Sequence, residues 1–449
     1  MELLKRRRAE VRRTLKACRA ALSPIRRLPP EILGLIFSEG VGTTYFFGDI
    51  SEVQPPVTQH APWLFTRVCR HWSAVALATP SLWALMFVDL DRMGVRGAIP
   101  LTKLYIERSR NVPLTLKIFH ERGVEPHPVL DVLLSSSAQW RVADLYMTPP
   151  VLQQITRVQN GFPILRTLRI SVDFAMDDDF PDVSSLDQVF WDVFSTTPEL
   201  RHVQAHSWAI SGFIRPPFTL PWHQLTVLST TTTSNIEALA VLEKLLNINK
   251  CTIAFSENLI LIRDHGTVHL PYLRALALQI EDEDGVVIYE KHTSILDFLE
   301  TPSLTSLVLF STADEEAVLG LITRSNCASS LTSLHLHSHT IYPDLALRLT
   351  TKLPCLTFLE LGDFDGKLSP DFPLPLPDFV HHFSQQWLKT QKANDGRQTL
   401  SLRVRDRALE AKDAQRITVR YRRLERDRLF IKVLSAIVYP SIITEHFEY

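Results

Sequence analysis

The chain has 449 residues, 45% of them hydrophobic, which is enough apolar material for roughly two to four domains or one extended repeat array. Its 48 basic and 49 acidic residues nearly cancel, so no overall field draws nucleic acid or a membrane to it. The five cysteines form no metal-type or disulfide-type pattern, and no run of about 18 apolar residues predicts a membrane span. We therefore expect a protein of a reducing compartment, cytoplasmic or nuclear, without a cofactor.

Residues 1–27 have the pattern of an arginine-rich amphipathic helix. Apolar residues recur there at steps of three, four or seven positions, which places them along one helical stripe. The members of this stripe are Leu4, Val11, Leu15, Cys18, Leu22 and Ile25. The segment predicts a lead-in helix packed on the next module, and its arginines leave open a nuclear address signal.

Residues 28–90 predict two short helices that cannot bury their own apolar faces. Residues 28–37 read LPPEILGLIF, in which proline suits a first helical turn and the apolar residues form one ridge before Gly40 and Gly42. A second helix is predicted from Pro62 to the Thr79-Pro80 stop, again with one apolar stripe. Helices this short are marginally stable alone, so the rest of the chain, a partner, or both must cover these ridges.

The order of these motifs resembles an F-box. The carrying residues are LPPEIL at 28–33 with Ile36 and Phe37, then VCRHW at 68–72, then Leu82-Trp83. The loop between the helices is longer than in compact F-boxes, and Gly34 lies inside the first helix. The resemblance implies binding to the Skp-family adaptor of a cullin-based ubiquitin ligase. The docking residues it implies are Leu28, Pro29, Ile32, Ile36, Phe37, Val68 and Trp72, whereas Leu33, Cys69 and Val75 would pack internally. The alternative is that the whole ridge belongs to an ordinary domain core.

Residues 101–365 predict an irregular leucine-rich-repeat solenoid. After a connecting unit at 101–147, one pattern recurs: apolar, two residues, apolar, one residue, apolar. It starts at Leu165, Leu200, Leu225, Ile248, Leu273, Leu304, Leu331 and Leu356. Such a period indicates parallel strands joined by outer return segments, with all three apolar positions facing inward. The eighth position of each unit lacks the usual asparagine, and a globular α/β domain with coincidental leucines remains the alternative.

The residue between the last two inward positions of each strand is predicted to face a target. These residues are Arg169, Gln204, Ser229, Thr252, Ala277, Val308, His335 and Glu360. Residues 366–449 are predicted to form a proline-rich linker and a C-terminal cap, with a helix over 415–433. The chain from about 20 to 365 resembles the F-box families expanded in mushroom-forming fungi.

No sequence motif for catalysis is present, including GxSxG, HExxH and the P-loop. His335, His337 and His339 alternate along a predicted strand at steps of about 7 Å, which is too far for one metal ion. The whole sequence thus predicts an α/β protein with a small helical F-box and a solenoid. The resemblance implies a non-catalytic adaptor that binds a Skp-family protein, through it a cullin, and an unknown protein substrate. A repeat scaffold that recruits no ligase and an unrecognised hydrolase are the rival hypotheses.

Overall fold

The computed structural model describes most of the chain and shows a mixed α/β protein built on one large parallel sheet. No helix in the described part is long and apolar enough to cross a membrane. The described residues are 2–21, 24–46, 62–91, 95–120, 127–158, 161–172, 192–207, 220–258, 265–281, 295–310, 315–337, 343–364, 376–393, 398–406 and 411–435.

Among the described residues, four α-helices precede the sheet: α1 (Glu2–Ala21), α2 (Pro30–Phe46), α3 (Trp63–Val68) and α4 (Arg70–Ala78). In α1, the apolar side chains of Leu4, Val11 and Leu15 are exposed, whereas the side chains of Cys18 and Leu22 in the same stripe lie outside the described residues. Helix α2 continues past Gly40 and Gly42, which the sequence predicted to end it. An added Cβ at Gly40 would lie 3.5 Å from the ring of Phe65, which is an ordinary van der Waals contact.

The second predicted helix is two helices with a break at Cys69. The backbone of Cys69 is extended, with φ −163° and ψ 170°, and its Sγ accepts a hydrogen bond from the backbone N–H of Trp72 at 3.5 Å. The side chain thereby caps the start of α4, since the first N–H groups of a helix have no partner within the helix.

In the part of the chain that the structure describes, thirteen strands form a single parallel sheet whose order follows the chain. They are β1 (Leu85–Asp89), β2 (Leu114–His120), β3 (Trp140–Met147), β4 (Thr167–Val172), β5 (His202–Ser207), β6 (Val227–Ser234), β7 (Lys250–Asn258), β9 (Ala275–Glu281), β11 (Ser306–Phe310), β12 (Ser333–His337), β13 (Phe358–Phe364), β14 (Leu400–Asp406) and β15 (Leu429–Ser435). Two further short strands, β8 (Val268–His269) and β10 (Leu299–Glu300), pair only with each other.

Helices and turns return the chain from the end of one strand to the start of the next. The helices are α5 (Val95–Ser109), α6 (Pro128–Leu134), α7 (Pro149–Gln153), α8 (Asn235–Leu242), α9 (Glu315–Ser325), α10 (Pro343–Lys352), α11 (Leu376–Ala393) and α12 (Ala411–Tyr421). The core lies between these segments and one face of the sheet. All three positions of all eight predicted apolar triplets are buried, which confirms their inward orientation.

The sheet is longer than the predicted array at both ends. It begins at β1, within the segment predicted as the helical module, and it continues beyond residue 365 through β14 and β15. The helix predicted over 415–433 is wrong in its second half, which forms β15 instead. Leu429, Ile431 and Val433 alternate inward and are buried, so their period of two fits a strand and not a helix.

Candidate interaction surfaces

The first candidate surface is made by α2, α3 and α4. Its base is an aromatic stack in which the ring centroid of Phe37 lies 4.2 Å from that of Phe65 and 4.9 Å from that of Trp72. Phe37 is 1% exposed and joins α2 to α3 and α4, so its side chain is buried within the chain, and its assignment as a docking residue stays a prediction. Trp72 is half-buried in the same stack. These two aromatics therefore serve the chain's own packing.

Five aliphatic side chains on α2 and α3 are exposed, and we call them the apolar ridge. They are Ile32, Leu35, Ile36, Leu64 and Val68. Three of them are predicted docking residues, whereas Leu35 and Leu64 were missed by the sequence argument. The sequence signal that could have found Leu35 and Leu64 is helical spacing, because Leu35 follows Ile32 by three positions and Leu64 precedes Val68 by four.

The remaining predicted residues divide between the surface and the interior. Pro29 is exposed at the start of α2, and Leu28 is half-buried. Leu33 and Val75 are buried, as expected for internal packing. The helices thus have one stripe that packs inward and a neighbouring stripe that remains open.

A cluster of aromatic rings around one arginine joins the helices to the sheet. The guanidinium of Arg108 on α5 lies 4.3 Å from the ring centroid of Trp83 and 5.1 Å from that of Trp63. Tyr105 packs edge-on against both tryptophans. The indole N–H of Trp83 donates to the carbonyl of Ala76 at 2.9 Å. Cation–π contacts in a desolvated site are worth about 2 kcal/mol, so this junction orients α3 and α4 relative to the first strands.

The second candidate surface is the face of the sheet opposite the core. The eight residues predicted to face a target lie in one register row across it, from Arg169 on β4 to Glu360 on β13. We call this the middle row. It extends to Lys117 and Asp144 at one end and to Arg403 and Lys432 at the other.

Burial removes most of the middle row from direct contact. Thr252, His335 and Glu360, predicted to bind a target, are buried, whereas Arg169 and Gln204 are half-buried. The row is closely packed because neighbouring strands lie about 4.8 Å apart and each side chain is flanked by two others. The first three residues therefore act within the chain, and only the last two reach the surface.

The charged groups at the β2–β5 end of the row are linked across strands. Asp144 lies in register between Lys117 and Arg169, and the Nε–H of Arg169 donates to Oε1 of Gln204 at 2.8 Å. Burial raises the pKa of the Asp144 carboxyl, and the positive charges of Lys117 and Arg169 partly oppose that rise. This end of the row is therefore cationic on both sides of one partly shielded carboxylate.

A second charged link crosses β12, β13 and β14. Oε2 of Glu360, which is 0% exposed, lies 3.4 Å from Nδ1 of His335 and 3.9 Å from the guanidinium of Arg403. Arg403 also lies over the ring of Phe358 at 4.8 Å. A buried carboxylate needs such neighbours because its desolvation is costly. The described residues contain no group of three or more His, Cys, Asp or Glu placed to hold a metal ion, and His339 lies outside them.

The edge where the strands begin has a repeated hydrogen-bond pattern that the sequence argument missed. At seven strands, two consecutive N–H groups donate to one carbonyl of the preceding strand at 2.8–3.1 Å, as Arg201 and His202 do to Arg166. The first residue of each pair stands directly after the first apolar position of its unit. With Arg141 and Arg166 before them, we call these residues the strand-start row: Arg141, Arg166, Arg201, Thr226, Asn249, Arg274, Thr305, Thr332 and Thr357.

Threonine hydroxyls reinforce this pattern where the row contains threonine. The hydroxyls of Thr305, Thr332 and Thr357 donate to the carbonyls of Arg274, Thr305 and Thr332 at 2.9, 3.1 and 3.1 Å. The asparagine sought at the eighth position of each unit is thus replaced by a polar ladder at the second position.

Comparison with known proteins adds no relative to this picture. No family model matches the chain, and no curated protein matches it significantly.

Proposed function

We propose that the chain is a substrate-recruiting adaptor of a cullin-based ubiquitin ligase. Its N-terminal helices are an F-box that docks a Skp-family adaptor, and the sheet is an irregular leucine-rich-repeat solenoid that holds a protein target. The observation that carries the proposal is the apolar ridge, which stays exposed although Phe37 on the same helix is buried in the aromatic stack. The adaptor performs no bond chemistry itself; it raises the effective concentration of the target at a ubiquitin-charged enzyme.

The physical case for docking is that exposed aliphatic side chains gathered on neighbouring short helices are unusual unless a partner covers them. Ile32 and Ile36 lie one turn apart on α2, and Leu64 and Val68 one turn apart on α3. Covering half-exposed side chains of this size contributes roughly 1 kcal/mol each. The ridge is therefore suited to a partner with its own apolar groove.

The solenoid part of the proposal is supported by chain-order pairing. Each strand of the large sheet pairs with the strands before and after it, apart from the separate β8 and β10 pair. The buried triplets repeat at the strands, and return helices such as α8, α9 and α10 follow individual strands. The Arg108 junction holds the helices against the first strands, so a target on the sheet would be kept at a defined distance from the ligase.

A scaffold that recruits no ligase is the second candidate, and two observations favour it. Phe37, which the F-box resemblance assigns to docking, is buried in the chain, and Trp72, which it also assigns to docking, is half-buried against Phe37. In that case the helices only cap the first strands of the sheet. The two functions differ in one property, which is binding to the Skp-family adaptor.

The test is a binding measurement between the full chain and a purified Skp-family adaptor. The Ile36→Asp, Val68→Asp double variant places charges on the ridge at exposed positions and leaves the Phe37 stack intact. We expect binding to weaken about 30-fold or more, since interface hot spots cost about 2 kcal/mol or more each.

The matched control is the Ile236→Asp, Val419→Asp double variant, which alters exposed aliphatic residues on α8 and α12. We expect it to bind as the wild type does. An adaptor that ignores a folded wild-type chain, or that binds the ridge variant unchanged, would exclude ligase recruitment through the ridge and leave the scaffold.

A further inference from the structure

The strand-start row changes chemistry along its length. Over β3, β4 and β5 it carries Arg141, Arg166 and Arg201, then the uncharged Thr226 and Asn249, and then Arg274 before β9. Lys250 stands next to Asn249 on β7 and adds a fifth cation near this edge. We call these five cationic residues the basic edge. From β11 onward the row consists of threonine, so the positive charge is confined to one part of the sheet.

Three of the five cations of the basic edge are exposed and can be reached by a partner. The side chains of Arg141, Arg166 and Arg274 are exposed, and none of the described residues forms an ion pair with any of them. The guanidinium of Arg201 is fixed by hydrogen bonds to the carbonyls of Pro198 and Leu200 at 2.9 and 3.1 Å. Arg201 is thus held in place among three exposed arginines, which gives the basic edge a preferred geometry.

The positive charge also reaches the open face beside the edge. His202 stands on β5 between Arg201 of the basic edge and Gln204 of the middle row. The pKa of His202 is lowered, first by burial and then by the positive charges of Arg166, Arg169 and Lys250. Gln204 lies next to Arg169 on the same face and offers a neutral amide. The positive charges of Arg166, Arg169 and Lys250 therefore act together at His202.

The dimensions of the edge suggest what it can hold. From Arg141 on β3 to Arg274 before β9 there are five steps between neighbouring strands, or about 24 Å. An extended peptide covers that distance with about seven residues. Guanidinium groups recognise carboxylates through two parallel N–H donors, which a single ammonium cannot do.

We propose that the basic edge binds an acidic segment of a partner protein, a stretch of about seven residues rich in Asp and Glu. A long polyanion fits less well, because the charge ends at the threonines of β11–β13 and nucleic-acid binding draws on many phosphate contacts. The acidic segment would belong to the target protein that the sheet holds, and this role as a target rests on the proposed function. The binding itself needs no Skp-family adaptor.

The experiment measures fluorescence anisotropy of a fluorescein-labelled peptide of alternating Glu and Gly, about eight residues long, against the full chain. The Arg141→Gln, Arg166→Gln, Arg274→Gln variant should bind about tenfold or more weakly, the combined effect of three exposed ion pairs. The affinity of the wild type should fall as salt is added. A peptide with Gln in place of Glu should not bind.

The matched control is the Lys412→Gln, Arg422→Gln, Arg426→Gln variant, which removes the same charge from exposed positions near the C-terminal end of the sheet. It should bind the Glu peptide like the wild type. Equal weakening in both variants, no binding of the Glu peptide by the wild type, or tighter binding of an RNA oligomer than of the peptide would each overturn the proposal. Because no Skp-family protein is present, these results are separate from those of the ligase test.

Discussion

Ile36 and Phe37 are neighbours in the sequence with opposite surroundings. Ile36 is 46% exposed, whereas Phe37 is 1% exposed and stacks on Phe65. One residue turns a helix by about 100°, so consecutive apolar residues belong to different stripes. The inner stripe makes the chain's own core, and the outer one is exposed. The F-box-like motif contains both residues, so the motif by itself does not show which of them is buried and which is exposed.

Substitutions at these two positions should therefore separate stability from docking. We expect Phe37→Ala to lower the free energy of unfolding by about 3–5 kcal/mol, because it removes a buried ring from a stack. Ile36→Asp should change it by about 0.5 kcal/mol or less, as is usual at an exposed site. Urea denaturation followed by circular dichroism measures both. Equal losses in the two variants would mean that the ridge is part of the core.

At the scale of the element, the beginning of a strand is marked by two backbone N–H groups that share one carbonyl acceptor. Two N–H groups donate to one carbonyl at seven strands, which is a bulge-like arrangement repeated across the sheet. The side chain at that point lies at the sheet edge, so it is polar in every unit. Where it is threonine, its hydroxyl adds a third donor to the same carbonyl.

The threonine ladder should contribute measurably to the stability of the C-terminal half of the sheet. We expect Thr332→Val to lower the free energy of unfolding by about 1 kcal/mol, since it keeps the branched shape and loses the hydrogen bond to Thr305. Thr332→Ser, which retains the hydroxyl, should lose less. Thermal unfolding of the two variants provides the comparison. A Val variant as stable as the wild type would show that the hydroxyl bonds add nothing.

At the scale of the whole molecule, the strands of the sheet follow one another in chain order. A change in one strand should therefore affect mainly the stability of its neighbours. Each strand bonds to its neighbours in the sequence of units, and β14 lies between β13 and β15 at the C-terminal end. In arrangements of this kind, stability is close to a sum of unit and neighbour contributions. Damage at one end should therefore spread over a few strands and not over the whole sheet.

Hydrogen exchange in Leu402→Ala should show this locality. Leu402 is fully buried on β14, and its truncation should destabilise its surroundings by about 2–5 kcal/mol. We expect faster amide exchange in β13, β14 and β15, with β2, β3 and β4 unchanged. Mass spectrometry of peptides from the exchanged chain resolves the two regions. Uniform acceleration along the sheet would mean that the molecule unfolds as a single cooperative unit.

The sequence by itself determined the inward pattern of the sheet. A triplet such as Leu356, Leu359 and Leu361 can bury all three side chains only if its strand has one face on the core, and the period of about 25 residues leaves room for a return segment. The same reasoning found the helices around residues 32 and 72. Local spacing was sufficient for these features because periodicity depends on backbone geometry alone.

Only the tertiary structure decided which polar and apolar residues reach the surface. Glu360 and Gln204 occupy the same position in their repeats, yet Glu360 is buried between His335 and Arg403 while Gln204 is half-exposed. The alignment of Arg141, Arg166 and Arg274 along one edge likewise depends on how distant strands pair. Exposure is a property of neighbours in space, and those neighbours lie 25 or more residues apart in the chain.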